Sequence, residues 1–436
     1  MPTPSMLSLP YNAIICRYDE IGTKGANRGY FEGLLVRSLK VHLRPLGELW
    51  SWRDRGRIFL FRPEHVPFTA AEIAEVRLRS GRIAGVSSLS PGFLLTKEPD
   101  LADLERLVLD SFGAVYDAYA AVQPGDTPIP YRLRVNRAEK WFPMTAQELE
   151  IHFAHLLVDR YPRLKVSLKQ PWLDIGLDLR PDRKCFLFYE KIPGPGGLPT
   201  ASAGRVTALL SGGIDSPVAC HEMMMRGCEI DYVTFHSAPY TSPALVRKVA
   251  GIAERLNSFQ EEGRFFAVNM VEAQKAFRDA CESRFRTILY RRFMMRIASV
   301  IAQSRNSHTL VTGENVGQVA SQTLRNMATI GAATRRLVLR PLVAFRKEET
   351  TRIAAAIGTL PLSEEDIPDS CTVFQPGSPA TSSSVAELER EEAKVDLPGL
   401  LRDAIRQTRQ VEPTTLAENE VAVLAPILER MLVEGF

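Results

Sequence analysis

Paired cysteines are what this sequence most plainly lacks. Its six, at positions 16, 185, 220, 228, 281 and 371, never fall into a CxxC, which argues against a disulfide framework and against a zinc ribbon. The seven histidines are equally dispersed. His152 and His155 share a helical face, but no further ligand lies nearby, so they read as surface or packing residues. No uninterrupted apolar run approaches the roughly 20 residues of a membrane span. Met1-Pro-Thr-Pro opens without the charged-then-apolar pattern of a signal peptide. The expectation is therefore a cytoplasmic protein with no membrane partner. A GxxxxGK[ST] segment is missing too, which excludes a Walker-type phosphate loop.

What is present fits a globular chain of two or three domains: 436 residues, 45% hydrophobic and 24% charged. The net charge of +3 is uneven, +8 over residues 1–385 and −5 over residues 386–436. A basic body with an acidic end permits a polyanionic partner.

The most informative stretch is Arg205-Val-Thr-Ala-Leu-Leu-Ser211-Gly212-Gly213-Ile214-Asp215-Ser216-Pro217. Val206 to Leu210 is a short apolar, partly β-branched run, the mark of a buried parallel strand. Ser-Gly-Gly breaks it, and Pro217 stands in the first turn of a following helix. Strand, glycine turn and helix N-terminus aim backbone N–H groups and a helix dipole at a phosphate. Glycines let the phosphate approach the backbone. Asp215 offers a carboxylate for Mg²⁺ or for ordering the loop, and Ser216 a hydroxyl for a phosphate oxygen. An ordinary αβ turn is the bland alternative.

Before this loop the pattern is α+β. Strands are expected at Tyr11 to Tyr18 and Arg57 to Phe61, with helices over Tyr30 to Leu43 and from Glu72. A second α+β stretch holds helices at Leu101–Tyr119 and Ala146–Tyr161. Its strands fall at Tyr131–Asn136, near Leu173–Leu179 and at Cys185–Tyr189. Ile192-Pro-Gly-Pro-Gly-Gly-Leu-Pro199 reads as a linker. From Arg205 to about Phe374, five apolar strand candidates alternate with helices. That alternation implies a doubly wound parallel sheet with its ligand over the strands' C-terminal ends. Ser378 to Ser384 reads as a flexible joint before the acidic end.

SGGxDS resembles the PP-loop of the ATP pyrophosphatases, which cleave ATP between the α- and β-phosphates and adenylylate a substrate. Four further segments resemble signature blocks of tRNA uracil 4-sulfurtransferases, the 4-thiouridine synthetases, and occur in the same order. They are Tyr18-Asp-Glu-Ile-Gly-Thr-Lys-Gly-Ala-Asn-Arg28, Tyr131-Arg-Leu-Arg-Val-Asn-Arg-Ala-Glu-Lys140, Gly194-Pro-Gly-Gly-Leu-Pro199 and Thr312-Gly-Glu-Asn-Val-Gly-Gln-Val-Ala-Ser-Gln322. The resemblance spans roughly residues 11–375. It implies a ferredoxin-like domain (1–72), a THUMP RNA-binding domain (73–190), a linker (191–204), a PP-loop catalytic domain (205–385) and an acidic helical tail (386–436).

It further implies ATP and Mg²⁺ as cofactors, tRNA as partner, and 4-thiouridine formation at tRNA position 8. ATP contacts are expected at Leu209, Leu210, Ser211, Gly212, Gly213, Ser216, Phe235, His236, Arg291, Gly313 and Gln322. Gly313 would permit close approach to the nucleotide, and Glu314 and Gln322 would hydrogen-bond ribose or base. Arg132 and Arg134 alternate along one strand, followed by Arg137 and Lys140, a basic strip suited to phosphates. Lys24 and Arg28, beside a glycine turn, are candidates for backbone phosphate. Trp141 and Phe142 either stack on a base or pack, and packing suits Phe142 better.

Thiolation at C4 of uracil needs O4 converted to a leaving group, which adenylylation supplies, followed by attack of a sulfur nucleophile. Asp215 and Cys371 are the expected catalytic residues, since Asp369-Ser370-Cys371-Thr-Val-Phe374 resembles the family's catalytic cysteine segment. Two departures stand out. Many members carry a C-terminal rhodanese-like domain with a second cysteine, whereas about fifty acidic, cysteine-free residues follow here. Others use an iron–sulfur cluster built on a CxxC, where this chain has Cys281-Glu-Ser-Arg284. The sulfur donor is then expected to be another protein, a cysteine desulfurase or a separate rhodanese-like protein, and a homodimer is compatible with the resemblance. Two other readings stay open: ATP-dependent sulfur supply for thiazole (thiamine) synthesis, and a non-catalytic RNA-binding relative.

Overall fold

Apolar alternation in the strands and its 3.6-residue counterpart in the helices sort the computed structural model into two sheet-based units, Met1–Pro199 and Thr200–Phe436. The structure describes residues 9–54, 56–122, 125–368, 370 and 373–436. Cys371 and Asp369 therefore lie outside the described residues. No described helix is long and apolar enough to cross a membrane.

In the first unit the strands are β1 (Ala13–Arg17), β2 (Trp50–Asp54), β3 (Arg57–Phe61), β4 (Ser88–Leu95), β5 (Ile129–Arg137), β6 (Leu164–Val166), β7 (Leu173–Arg180), β8 (Lys184–Phe188) and β9 (Ile192–Pro193). Among the described residues they form one sheet in the order β2-β3-β1-β4-β8-β7-β5-β6, with β9 on β4. Helices α1 (Arg28–His42), α2 (Ala70–Ser80), α3 (Leu101–Ala121) and α4 (Ala146–Arg160) cover it. Thr69, Asp100 and Thr145 each close a capping box at the start of α2, α3 and α4. The two small domains expected from the sequence thus share a continuous sheet, because β4 pairs with β1 on one side and β8 on the other.

The Gly/Pro stretch expected as a free linker is strapped to this sheet up to about Gly196. Gly194 donates to the Ser87 carbonyl (2.9 Å) and Gly196 to that of Val86 (2.8 Å). A Cβ on Gly194 would lie 2.2 Å from the Val86 oxygen, so only glycine allows this approach.

The second unit runs β10 (Arg205–Leu209), α5 (Asp215–Met225), β11 (Glu229–His236), α6 (Ala244–Asn257), β12 (Phe265–Asn269), α7 (Val271–Ala280), α8 (Arg286–Ser304), β13 (Thr309–Val311), α9 (Leu324–Gly331) and β14 (Leu337–Leu339). Then come α10 (Lys347–Ile357), α11 (Leu360–Ser363), α12 (Val385–Glu392), α13 (Leu397–Gln407), β15 (Arg409–Val411), β16 (Glu418–Glu420) and α14 (Leu424–Glu434). The sheet order is β14-β13-β10-β11-β12-β15-β16. Its first five strands are parallel. Alternation along β11 serves both faces: Ile230 and Tyr232 join the core with α5 and α6, while Val233 and Phe235 join the core with α7 and α8. The chain moves from β10 outward to β12, then crosses back to lay β13 on β10's other side. That reversal opens a crevice at the C-terminal ends of β10 and β13.

The acidic segment is not a tail. β15 pairs antiparallel with β12, and Leu388, Leu401, Ile405, Leu424 and Leu428 are buried in the α8 core. The joint expected at Ser378–Ser384 is anchored as well: Ser383 Oγ donates to Asn326 Oδ1 (2.8 Å), and Ser384 caps α12. Net charge concealed an amphipathic helix, with Leu397, Leu401, Ala404 and Ile405 at helical spacing.

Glu392 of α12 is the deepest tie. It accepts from Arg292 Nε (2.7 Å) and Arg296 (2.8 Å), and all three residues are at least nine-tenths buried. Burial would raise the Glu392 carboxyl, but the hydrogen bonds from Arg292 and Arg296 outweigh it and hold it below its ordinary value of 4.5. With a depressed folded-state value, the contribution is complete above the ordinary value and is lost as pH falls below it, down through the depressed folded-state value. Glu392→Ala leaves two buried guanidinium groups uncompensated. It should cost about 3–5 kcal/mol in a denaturant titration near pH 7, and the deficit should shrink on acidification.

Candidate nucleotide-binding active site

The local sequence puts the loop where a phosphate would be met. β10 is apolar and mostly buried, the chain turns through Ser211-Gly212-Gly213, and α5 begins at Asp215 without a side-chain cap. Its first-turn N–H groups are thus available to an anion. Ser216 Oγ accepts from the Ser211 backbone N–H (2.9 Å) and contacts Ser211 Oγ (3.0 Å), closing the loop on itself. Gly212 rests on Lys248, where a Cβ would sit 3.2 Å from Cε. Lys248 is 7% exposed and donates to the carbonyls of Ser363 (3.0 Å) and Glu365 (2.8 Å), tying α6 to the segment after α11.

A cavity of about 280 Å³ opens over this loop. Of the residues expected there, Leu209, Leu210, Ser211, Gly213, Asp215, Ser216, Phe235, Arg291, Gly313 and Gln322 line it. Gly212 does not, being turned onto Lys248. Nor does His236, which lines an adjacent cavity of about 430 Å³ with Arg247, Asn269 and Arg409. Alternation along β11 explains that split, since neighbouring side chains leave opposite faces. Burial lowers the His236 imidazole from its ordinary value. Val233, Met294, Met295 and Ile330, which sequence reading missed, add an apolar wall.

The Gly313 segment makes contacts that its sequence did not show. Gly313 lines the cavity, and a Cβ on it would lie 2.6 Å from the Ser216 backbone nitrogen. It therefore also packs on the start of α5, locking two loops together. Glu314 is 3% exposed and already committed, accepting from Arg291 (2.9 Å), Arg340 (2.6 Å) and the Thr312 hydroxyl (3.1 Å). It orients arginines and has little left for a ribose. Arg291 keeps its buried Nε without a partner among the described residues. Arg292 and Arg296 turn away from the cavity, onto Glu392.

Sequence reading missed Lys347. From the first turn of α10 its Nζ reaches both carboxylate oxygens of Asp215, at 2.8 and 3.0 Å, and Gln318 Nε2 donates to Oδ2 at 2.9 Å. A lysine thus stands over the loop although the local motif carries none. Among the described residues no three His, Cys, Asp or Glu side chains converge on a metal site. Cys281 is buried, its thiol donating to the Glu391 carbonyl (3.3 Å), and burial pushes it up to about 11.

In the first unit, Arg134 and Lys140 are exposed. Arg132 is instead clamped by Asp174 (2.6 and 3.0 Å) and the Leu168 carbonyl (3.1 Å). Arg137 donates to the Phe142 carbonyl, and Phe142 itself is buried. Trp141 is half-buried with its indole N–H on the Arg180 carbonyl. Lys24 sits 5.2 Å over the Phe31 ring, and Arg28 pairs with Glu32 (2.9 Å).

The chain is similar to known proteins over most of its length. The family model "Thiamine biosynthesis protein (ThiI)" matches residues 201–397, and the "ThiI ferredoxin-like domain" model matches residues 13–90. A probable tRNA sulfurtransferase of Natranaerobius thermophilus is 36% identical over 91% of this chain and 95% of its own length. One from Brevibacillus brevis is 34% identical over 93% and 97%. The crystal structure of a 4-thiouridine synthetase–RNA complex with bound ATP superposes with a TM-score of 0.79 at 33% identity, over 91% of this chain and 98% of that one. At such identity and coverage this chain belongs to the tRNA sulfurtransferase (ThiI) family.

Proposed function

We propose that the protein thiolates a tRNA uridine at the expense of ATP, forming 4-thiouridine at position 8. The observation that supports this best is the meeting, on one cavity, of the SGGIDS loop with Arg291, Gly313 and Gln322. In this reading the α5 amide groups and Lys347 hold the phosphates, and Arg291 uses its unpartnered Nε toward the nucleotide. Uracil O4 attacks the α-phosphorus and pyrophosphate leaves. The terminal sulfur of a persulfide then attacks C4, AMP departs with the former O4, and an external thiol reduces the resulting S–S bond to leave the sulfur on C4. A divalent cation such as Mg²⁺ would be held mainly by the phosphates, with Asp215 available to it in place of its Lys347 and Gln318 contacts. It would neutralise phosphate charge.

The decisive test is mass spectrometry of tRNA nucleosides from cells with and without the gene, paired with tRNA-dependent ATP–pyrophosphate exchange by the protein. Loss of 4-thiouridine in the deletion supports the reading; unchanged 4-thiouridine overturns it. The description of the matched family favours a second reading, sulfur supply for thiazole synthesis. A thiazole requirement in the deletion strain with 4-thiouridine intact would select it. A protein persulfide donor, a second copy of the chain and a cytoplasmic setting complete the proposal.

The RNA-binding residues proposed are Arg134 and Lys140, with Arg132, Arg137 and Arg28 supporting them from their ion pairs and backbone contacts, and Lys24 from over the Phe31 ring. Neutralising Arg134 and Lys140 together should weaken tRNA binding and lower the log–log salt slope by about two, one per phosphate contact. ATP binding without RNA should not change. A wild-type salt slope in the double variant would place the RNA elsewhere.

A further inference from the structure

Beside the nucleotide cavity, the second unit carries an aromatic pair that nothing in the adenylylation step uses. Tyr240 follows β11 by four residues, and Phe374 follows the cavity-lining Ser370 by four. Their ring centroids are 5.1 Å apart at an interplanar angle of 64°. Tyr240 is 54% exposed, an unusual place for a large ring. Phe374 has φ +57°, a region bulky residues rarely enter.

Cations from one face of α7 meet both rings. Lys275 Nζ lies 5.8 Å from the Tyr240 centroid and the Arg278 guanidinium 4.7 Å from that of Phe374. Exposed carboxylates partner these cations, Glu272 to Lys275 (2.9 Å) and Asp279 to Arg278 (2.6 Å). The face is therefore nearly neutral, so ring surface rather than charge dominates recognition. Gln274, next to Lys275, is fully buried and donates to the Ser370 carbonyl (3.0 Å), tying α7 to the cavity-lining Ser370. Four residues span at most about 14 Å, which bounds the distance of Phe374 from the cavity-lining Ser370.

We propose that Tyr240 and Phe374, backed by Lys275 and Arg278, form a stacking platform for an unpaired nucleobase of the RNA substrate, the target uracil or its neighbour. This rests on the RNA-thiolation reading above. A base inside a folded RNA has to leave its stack before O4 can meet ATP, and exposed aromatic rings beside cations recover the lost stacking. Phosphate binding would ask for unpaired cations, which α7 does not present.

The test uses the full-length protein and tRNA carrying 2-aminopurine beside the target uridine. Binding to the wild type should quench the fluorophore, Tyr240→Phe should retain the quench, and Tyr240→Ala should lose it. In parallel, Tyr240→Ala should raise the KM for tRNA about tenfold, in line with one lost stacking contact, while ATP affinity without RNA is unchanged. Equal quenching by Tyr240→Ala overturns the platform. So does a parallel fall in ATP affinity, which would make Tyr240 a structural support. A defect seen with a persulfide-loaded donor protein but absent with free sulfide overturns it too, by assigning the rings to the donor. Quenching without any thiolation by the wild type would instead overturn the functional reading and leave the platform standing.

Discussion

Asp215→Ala should lower tRNA-dependent pyrophosphate release by about a hundred- to a thousandfold, the usual scale for losing a preorganised electrostatic group. Its tRNA affinity should stay near wild type. Asp215 positions Lys347 through two contacts and Gln318 through a third, and it opens the helix whose amide groups face the cavity. Lys347→Met should show a comparable defect, because it removes the cation rather than its anchor. The Lys347 side chain is 51% exposed, so the pair contributes at most about 1 kcal/mol to stability. Both variants should therefore melt close to wild type. A large activity loss at constant stability is the signature of a working pair; unchanged pyrophosphate release in either variant would remove it from the site. tRNA affinity is spared because Asp215 is neither among the phosphate contacts proposed in the other compact unit nor part of the Tyr240–Phe374 platform.

How much of this was legible beforehand depends on sequence separation. The strand, Ser-Gly-Gly turn and helix start were readable because one stretch of thirteen residues, Arg205–Pro217, contains them. The alternation that exposes Arg134 and buries Tyr131 was readable for the same reason. Lys347 was not, since it reaches Asp215 from 132 residues away, and a single lysine at a helix start carries no local signal. The commitment of Glu314 to Arg291 and Arg340 was hidden likewise: each residue looks like a ligand contact until its partner is known. β2 escaped notice because Trp50-Ser-Trp-Arg-Asp54 is an edge strand with partly exposed rings and no apolar run. The acidic end misled through its net charge, which averages over helices that each bury one face.

Sulfur transfer is where removing one side chain should act most completely. Every described cysteine is buried, and burial disfavours the thiolate that attacks or accepts sulfur. Cys16 is pushed up to about 12, Cys228 and Cys281 to about 11, and Cys185 and Cys220 well above the ordinary range. Thiols of that kind are almost wholly protonated at neutral pH. Cys281, which stands where other family members carry a CxxC, also donates to the Glu391 carbonyl inside the α8 core. Cys371 lies outside the described residues, but its neighbour Ser370 lines the nucleotide cavity. We propose it as the sulfur-bearing residue. Cys371→Ser should still adenylylate tRNA and release pyrophosphate at a near-wild-type rate, yet form no 4-thiouridine from a persulfide-loaded desulfurase. Free sulfide should restore part of the product, because it can attack the adenylylated uracil without a carrier. Full thiolation by Cys371→Ser from the persulfide donor would show that the donor delivers its sulfur straight to C4, with no cysteine of this chain between them.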